Sequence, residues 1–256
     1  MLDKFNLKDK IAIITGGGSG LGLEMSKTLA RYEAKVVIAD VRKEEGANAA
    51  ISINKEVGTD RAIPIQTDVS EKESVHRMVE EVLRQHKRID ILVNSAGINI
   101  RKAFVEYEED EWDKILNVNL KGVFLCCQEV GKVMIRQQKG KIINISSALE
   151  KIGQEHRGPY AASKGGVSQL TKVLAIEWAP YHININCIAP GFMKTPLISK
   201  VIEQDSNFYS YIKQVVPMGH IGNPEDLEGA VLLLASEASN YITGQSIFVD
   251  GGWSIW

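Results

Sequence analysis

Tyr160 and Lys164 stand four residues apart in a segment that reads as helix, so they share one face of it. Tyrosine is a poor base near neutral pH, with a reference pKa of about 10. A lysine ammonium close by favours the phenolate and lowers that value. A phenol tuned in this way can take a proton from an alcohol or return one to a carbonyl. Ser147 closes the apolar run Lys141-Ile142-Ile143-Asn144-Ile145-Ser146-Ser147, where its hydroxyl is placed to hold a reacting oxygen. Asn119 lies between Val118 and Leu120 inside a helical stretch, where an amide competes for backbone groups. Spacing alone equally describes an exposed Tyr and Lys on an amphipathic helix and a surface Asn, so these residues need a context.

The context is supplied by Ile11-Ala12-Ile13-Ile14-Thr15-Gly16-Gly17-Gly18-Ser19-Gly20-Leu21-Gly22. An apolar run predicts a buried strand, the glycines a tight turn, and Leu23 to Ala30 a helix. Free N–H groups at that helix start, with the positive end of its dipole, make an anion site that glycines let a pyrophosphate approach. The spacing Gly16-xxx-Gly20-x-Gly22 is neither the common dinucleotide fingerprint nor a Walker motif, since Leu23 follows Gly22 in place of a lysine. A second apolar run, Lys35 to Asp40, ends in an acid. An acid there, about 20 residues after the glycines, suits a ribose 2′-hydroxyl.

The elements that must position these groups alternate along the chain. Helices are predicted over Lys43 to Val57 with Gly58 as the stop, from a Ser70–Glu73 capping box to Gln85, from Asp110 to Gln137 as one long helix, from Pro159 to Ala179, and from Asn223 to about Ser236. Strands are predicted over 61–68, at an edge because of Pro64, and over 89–94, 141–147, 183–189 and 246–252. Seven strand candidates alternating with helices predict an α/β, doubly wound (Rossmann), mostly parallel sheet with helices on both faces, as one domain over 1–256. Ligands bind beyond the C-terminal strand ends of such sheets.

Composition bounds the rest. The chain has 256 residues, 44% hydrophobic, with a formal net charge of −2, so neither nucleic acid nor an anionic membrane is an expected partner. The start lacks a signal-peptide core and no apolar run reaches membrane-spanning length, which leads us to expect a soluble cytoplasmic protein. Three cysteines, Cys126, Cys127 and Cys187, read as buried thiols, the adjacent pair on different helix faces. The five histidines show no ligand spacing, so no metal site is expected.

Together, Thr15-Gly16-xxx-Gly20-x-Gly22, Asp68-Val69, Asn94-Ser95-Ala96-Gly97, Asn119, Ser147, Tyr160-xxx-Lys164 and Pro190-Gly191 resemble the short-chain dehydrogenase/reductase family over essentially the whole chain. The resemblance implies hydride transfer between a nicotinamide cofactor and a secondary alcohol or ketone. Tyr160 would be the general acid/base. Lys164 would lower its pKa and bind the nicotinamide ribose. Ser147, rather than Ser146, would orient the substrate oxygen, and Asn119 would help relay protons through water to Lys164. Cofactor contacts would come from Gly16, Ser19, Gly20, Leu21, Gly22 and Asp40, from Asp68 and Val69 at the adenine, and from Asn94, Ala96 and Gly97. Pro190, Gly191, Met193 and Thr195 would lie on the nicotinamide side. Ser95 departs from the family's second Asn. Asp40, whose charge repels a 2′-phosphate, and Ser19, where NADP-preferring members usually place a base, favour NAD; Arg42 is the counter-signal.

Within the family, the runs at 119–125, 140–146, 159–167 and 186–192 most resemble gluconate 5-dehydrogenases and related sugar-acid dehydrogenases. The expected substrate is therefore a sugar acid such as gluconate; another sugar or polyol, or a 3-oxoacyl thioester, is the alternative. Arg101 is the candidate for a substrate carboxylate, equally readable as a solvent-facing cation beside Lys102. Gln154, His156 and Arg157, in the loop before Tyr160, could line the pocket and otherwise read as loop surface. Residues 192–219 are expected to form a substrate lid carrying Phe192, Met193, Leu197, Phe208 and Tyr209. By the same resemblance a homotetramer is expected, with the apolar end Trp253-Ser254-Ile255-Trp256 buried against a neighbour.

Overall fold

The computed structural model describes residues 2–195 and 206–255. The first apolar run forms β1 (Ile11–Thr15) and the glycine turn opens α1 (Gly20–Arg31). These are followed by β2 (Lys35–Asp40), α2 (Lys43–Val57), β3 (Ala62–Gln66), α3 (Lys72–His86) and β4 (Ile91–Asn94). Then come α4 (Glu109–Leu116), α5 (Gly122–Gln137), β5 (Gly140–Ile145), α6 (Gly158–Trp178) and β6 (Ile183–Pro190). The chain closes with α7 (Ser206–Val215), α8 (Glu228–Ala235) and β7 (Ser246–Val249).

Among the described residues seven strands form one sheet in the order β3-β2-β1-β4-β5-β6-β7, every neighbouring pair parallel. β1 and β2 are buried along nearly their whole length, as strands covered on both faces should be. Met25, Leu29, Ala50, Ile53 and Val231 of α1, α2 and α8 cover one face. Val75, Met78, Val82, Cys126, Val130 and Val167 of α3, α5 and α6 cover the other. Pro64 lies on the edge strand β3, where its missing N–H is tolerated. The chain reverses its winding between β1 and β4, and that reversal opens a crevice at the strand ends.

Three local expectations are corrected. Ser70 does not cap α3: its hydroxyl donates to Asp68 Oδ1 (2.7 Å) and the helix opens at Lys72, with Glu71 extended at the cap position. Asp68 Oδ1 also accepts the Ser70 N–H (2.9 Å), which holds Ser70 in a turn one residue ahead of the cap position. The long helix from 110 to 137 is not regular. It passes through one π turn, Asn117–Lys121, between α4 and α5. The π turn centres on Asn119, whose side chain is fully buried. Finally, Trp253 buries against its own chain, with its ring 4.1 Å from that of Phe192, while Ile255 is exposed. Leu197 and Trp256 lie outside the described residues.

Candidate active site

The glycine turn is shaped by backbone contact. Gly16 has φ +64°, and a Cβ there would stand 2.8 Å from Ala96 Cα. A Cβ on Gly22 would stand 2.2 Å from the Gly16 carbonyl oxygen, so the first turn of α1 lies directly on β1's exit. Thr15 Oγ1 accepts from the N–H groups of Ser95 (3.1 Å) and Ala96 (3.2 Å), which pins the end of β4 beside that turn. Ser19 is extended at the N-cap without a side-chain cap bond, leaving the first N–H groups of α1 at the cavity.

Asp40 is buried at the end of β2. Its Oδ2 accepts from the Gly18 N–H (3.0 Å) and its Oδ1 from the Arg42 N–H (3.0 Å). The Arg42 guanidinium reaches across to Ser19 Oγ (2.8 Å) and pairs with Glu45 at 2.5 Å. The acid and the counter-signal arginine therefore occupy the same corner, and the arginine is engaged by neighbours there.

One cavity of about 1030 Å³ runs along the crevice. At one end it is lined by Gly16, Ser19, Gly20, Leu21, Gly22, Asp40, Asp68 and Val69. Further along it meets Ala96 and Gly97, then Ser147, Tyr160 and Lys164. Pro190, Gly191, Met193 and Thr195 line it as well. A nucleotide fits such a site. The cradle is bare of Cβ atoms where a pyrophosphate must come close, and a buried carboxylate stands where a ribose is expected.

The reacting groups come from separate elements. Ser147 follows β5, and its Oγ accepts the Leu149 N–H (3.2 Å) of the short turn after it. Ser147 and the Tyr160 phenol line the cavity together. Ser146 also lines the cavity, but its hydroxyl donates to the Lys164 carbonyl (3.2 Å). Burial raises the pKa of Tyr160; the Ser147 hydroxyl and then the Arg157 charge oppose it. Lys164 Nζ lies 5.6 Å from the Tyr160 ring centroid and donates to the Ile145 carbonyl (2.7 Å). Burial pushes this lysine down to about 8. Thus Arg157, not lysine alone, brings positive charge to the phenol.

Two expected residues stand behind the cavity wall. Asn119 Oδ1 accepts the Ile98 N–H (2.8 Å), and its Nδ2 donates to the Ile98 carbonyl (2.9 Å) and Ser163 Oγ (3.1 Å). Ser163 in turn donates to the Tyr160 carbonyl (2.6 Å), so Asn119 ties the chain after β4 to the start of α6. Asn94 points its side chain into the protein, where Nδ2 donates to Asn144 Oδ1 (2.8 Å). Arg101 is exposed and outside the cavity lining. Arg157 reverses the loop-surface reading: it is 8% exposed and lines the cavity with Gln154, Leu149 and Trp253. Neither Arg157 nor Trp253 carries a local sequence signal for this, because burial here depends on distant segments, with α7 and Trp253 packing on Ala148 and Leu149 after β5.

Residues 16–254 match the family model described as enoyl-(acyl carrier protein) reductase. The chain belongs to the short-chain dehydrogenase/reductase family. Its chemistry is hydride transfer between a nicotinamide cofactor and an alcohol or ketone carbon. An NAD-dependent glycerol dehydrogenase of Listeria innocua is 37% identical over 98% of this chain and 96% of its own length. A 5-keto-D-gluconate 5-reductase of Escherichia coli is 36% identical over 98% of both chains. A gluconate 5-dehydrogenase structure from Burkholderia cenocepacia, in complex with NADP and tartrate, superposes with a TM-score of 0.94 at 38% identity, covering 100% of this chain and 99% of that one. The fold and the family expected from the sequence both stand.

Proposed function

We propose that this enzyme interconverts a secondary hydroxyl of a sugar acid such as gluconate and the corresponding ketone, with NAD as its hydride carrier. The observation that carries this reading is a cavity joining a dinucleotide cradle, Asp40 included, to Ser147, Tyr160 and Lys164. The sugar-acid activity of the Escherichia coli and Burkholderia cenocepacia relatives supports the substrate class. The buried carboxylate at the ribose end supports NAD, since a 2′-phosphate would meet its charge.

When bound, the nicotinamide accepts or returns the hydride. The protein's own groups handle the oxygen. In oxidation, Tyr160 takes the hydroxyl proton as the carbon loses its hydride, and Ser147 holds the oxygen in place by a hydrogen bond. In reduction, the phenol gives that proton back. Lys164 would hold the nicotinamide ribose, and Asn119 would keep Lys164 and the chain after β4 in register through its bonds to Ile98 and Ser163. Gly16, Ser19, Gly20, Leu21 and Gly22 would hold the pyrophosphate, Asp68 and Val69 the adenine, and Ala96 and Gly97 the adjoining ribose. Pro190, Gly191, Met193 and Thr195 would border the nicotinamide. The described part of 192–219 packs Phe192, Phe208, Ile212 and Val216 with Leu149 and Trp253, which supports a role as cover for the substrate end.

Phe124 of α5 and Val173 and Ile176 of α6 are exposed apolar residues, which supports the expected tetramer built on those helices. Free, buried thiols at Cys126, Cys127 and Cys187 suit a reducing, cytoplasmic setting. The deciding experiment follows NADH formation from NAD⁺ with gluconate, neutral polyols and simple sugars. Turnover of a sugar acid is the expected outcome. Silence with every sugar acid, together with NADPH oxidation on an acetoacetyl thioester, would overturn the reading.

A further inference from the structure

Among the described residues Arg157 is a charge without a partner. It sits at the cap position before α6 and is 8% exposed. Its Nε is cut off from solvent and meets no acceptor among the described residues. No ion pair involves it there; burial first, then the nearby Arg101 charge, disfavours its charged form, and the Tyr160 and Tyr107 phenols oppose them. Other buried or half-buried cations are matched. Lys141 donates to Asn184, Ser239 and Asn240, and Arg88 forks onto Asp90. Burying an arginine without an acceptor costs stability, so a fold that keeps one leaves its anion to come from outside.

The place narrows what that anion is. Arg157 lines the substrate end of the cavity beside Ser147, Tyr160, Gln154 and Trp253, and its charge is felt at the Tyr160 phenol. This is the end where the reacting oxygen is held, across the cavity from the cradle of α1. A planar guanidinium fork matches a carboxylate, which it can bind by two parallel N–H···O bonds. We propose that Arg157 binds the substrate carboxylate and makes this enzyme selective for hydroxy acids over neutral polyols. The inference rests on the sugar-acid reading above. It moves the carboxylate contact from the exposed Arg101 to the buried Arg157, with Arg101 adding positive potential from outside the cavity lining.

The test compares Arg157→Met and Arg157→Lys with the parent enzyme, using gluconate and glycerol as substrates with NAD⁺. Arg157→Met is expected to lower the ratio of kcat/KM for gluconate over glycerol by about 10- to 100-fold, the size of a lost charge-assisted pair. The loss should sit mainly in the KM for gluconate. Arg157→Lys should restore part of the ratio, because it keeps the charge without the fork. A purely structural arginine would lower Tm when removed, whereas relief of an unpaired buried charge should raise it in Arg157→Met without ligand. An unchanged ratio in both variants, with both substrates falling together, would overturn the proposal. Should the parent enzyme turn over no hydroxy acid, the sugar-acid reading fails by itself. The carboxylate site is then decided by tartrate as a competitive inhibitor of whatever alcohol is oxidised. A tenfold weaker inhibition constant in Arg157→Met supports the site, and an equal constant in parent and variant overturns it.

Discussion

The two ends of the cavity are built on opposite principles. At the cradle end, backbone meets backbone: Gly22 lies on the Gly16 carbonyl, Gly16 on Ala96, and both Asp40 oxygens accept N–H groups of the same chain. The acid there is satisfied before any ligand arrives, and the uncapped N–H groups of α1 are held in place for a phosphate. At the substrate end, side chains from β5, α6 and the chain end converge. Arg157 Nε meets no acceptor among the described residues, and burial pushes the Tyr160 phenol upward. The first end is preorganised by local geometry, which suits a ligand of constant shape. The second leaves interactions for substrate to complete, which costs stability and gives selectivity.

The contrast can be broken most sharply at Tyr160. Tyr160→Phe should lower turnover by about 10²- to 10⁴-fold, the usual worth of a general acid/base, while NADH affinity measured by fluorescence titration stays near the parent value. A comparable loss of NADH binding would mean that the two ends are not separable. Gly22→Ala probes the other end. Its new methyl would meet a carbonyl that cannot move without β1, so unfolding should become easier by about 1–3 kcal/mol, with weaker dinucleotide binding. Thermal unfolding with and without NADH would show both effects.

Asp40→Ala sharpens the comparison within the cradle. Removing the acid beside Arg42 should shift the kcat/KM ratio of NAD over NADP toward NADP by at least about tenfold. An unchanged ratio would count against Asp40 as the selector.

The smallest effect contrasts a partnered buried cation with Arg157. Burial first, then the Lys139 charge, pushes Lys141 down to about 8, below the roughly 10.4 of an unfolded lysine. Between these values the unfolded chain holds a proton that the folded chain has lost. Stability from this group therefore rises with pH across that window, by at most about 1.4 kcal/mol per pH unit. In Lys141→Met that contribution to the slope should vanish, as denaturant titrations at pH 8 and 10 would reveal. An identical slope in parent and variant would contradict it.

Much of the cradle was legible in the sequence because it is local. Lys43–Val57 forms a helix over the expected span and Gly58 closes it in the left-handed region, which glycine enters without the steric penalty of a Cβ. The apolar runs of β1 and β2 read directly as doubly covered strands. The Ser70–Glu73 pattern failed even though it is local: Asp68 Oδ1, two residues back, takes both the N–H and the hydroxyl of Ser70 and holds it in a turn ahead of the helix. The π turn at Asn119 was equally hidden, because what holds it is the bond to Ile98, a residue 21 positions away.

The order of strands and helices, the bare glycine cradle, the acid at the end of β2 and the common helix face of Tyr160 and Lys164 were determined by the sequence itself. Each depends on neighbours within a turn or a strand. The burial of Arg157, the packing of Trp253 on Phe192 and the withdrawal of Asn94 and Asn119 from the cavity were decided only by the tertiary structure. Desolvation and the pairing of polar groups depend on which distant segments close over a residue, and no spacing along the chain encodes that.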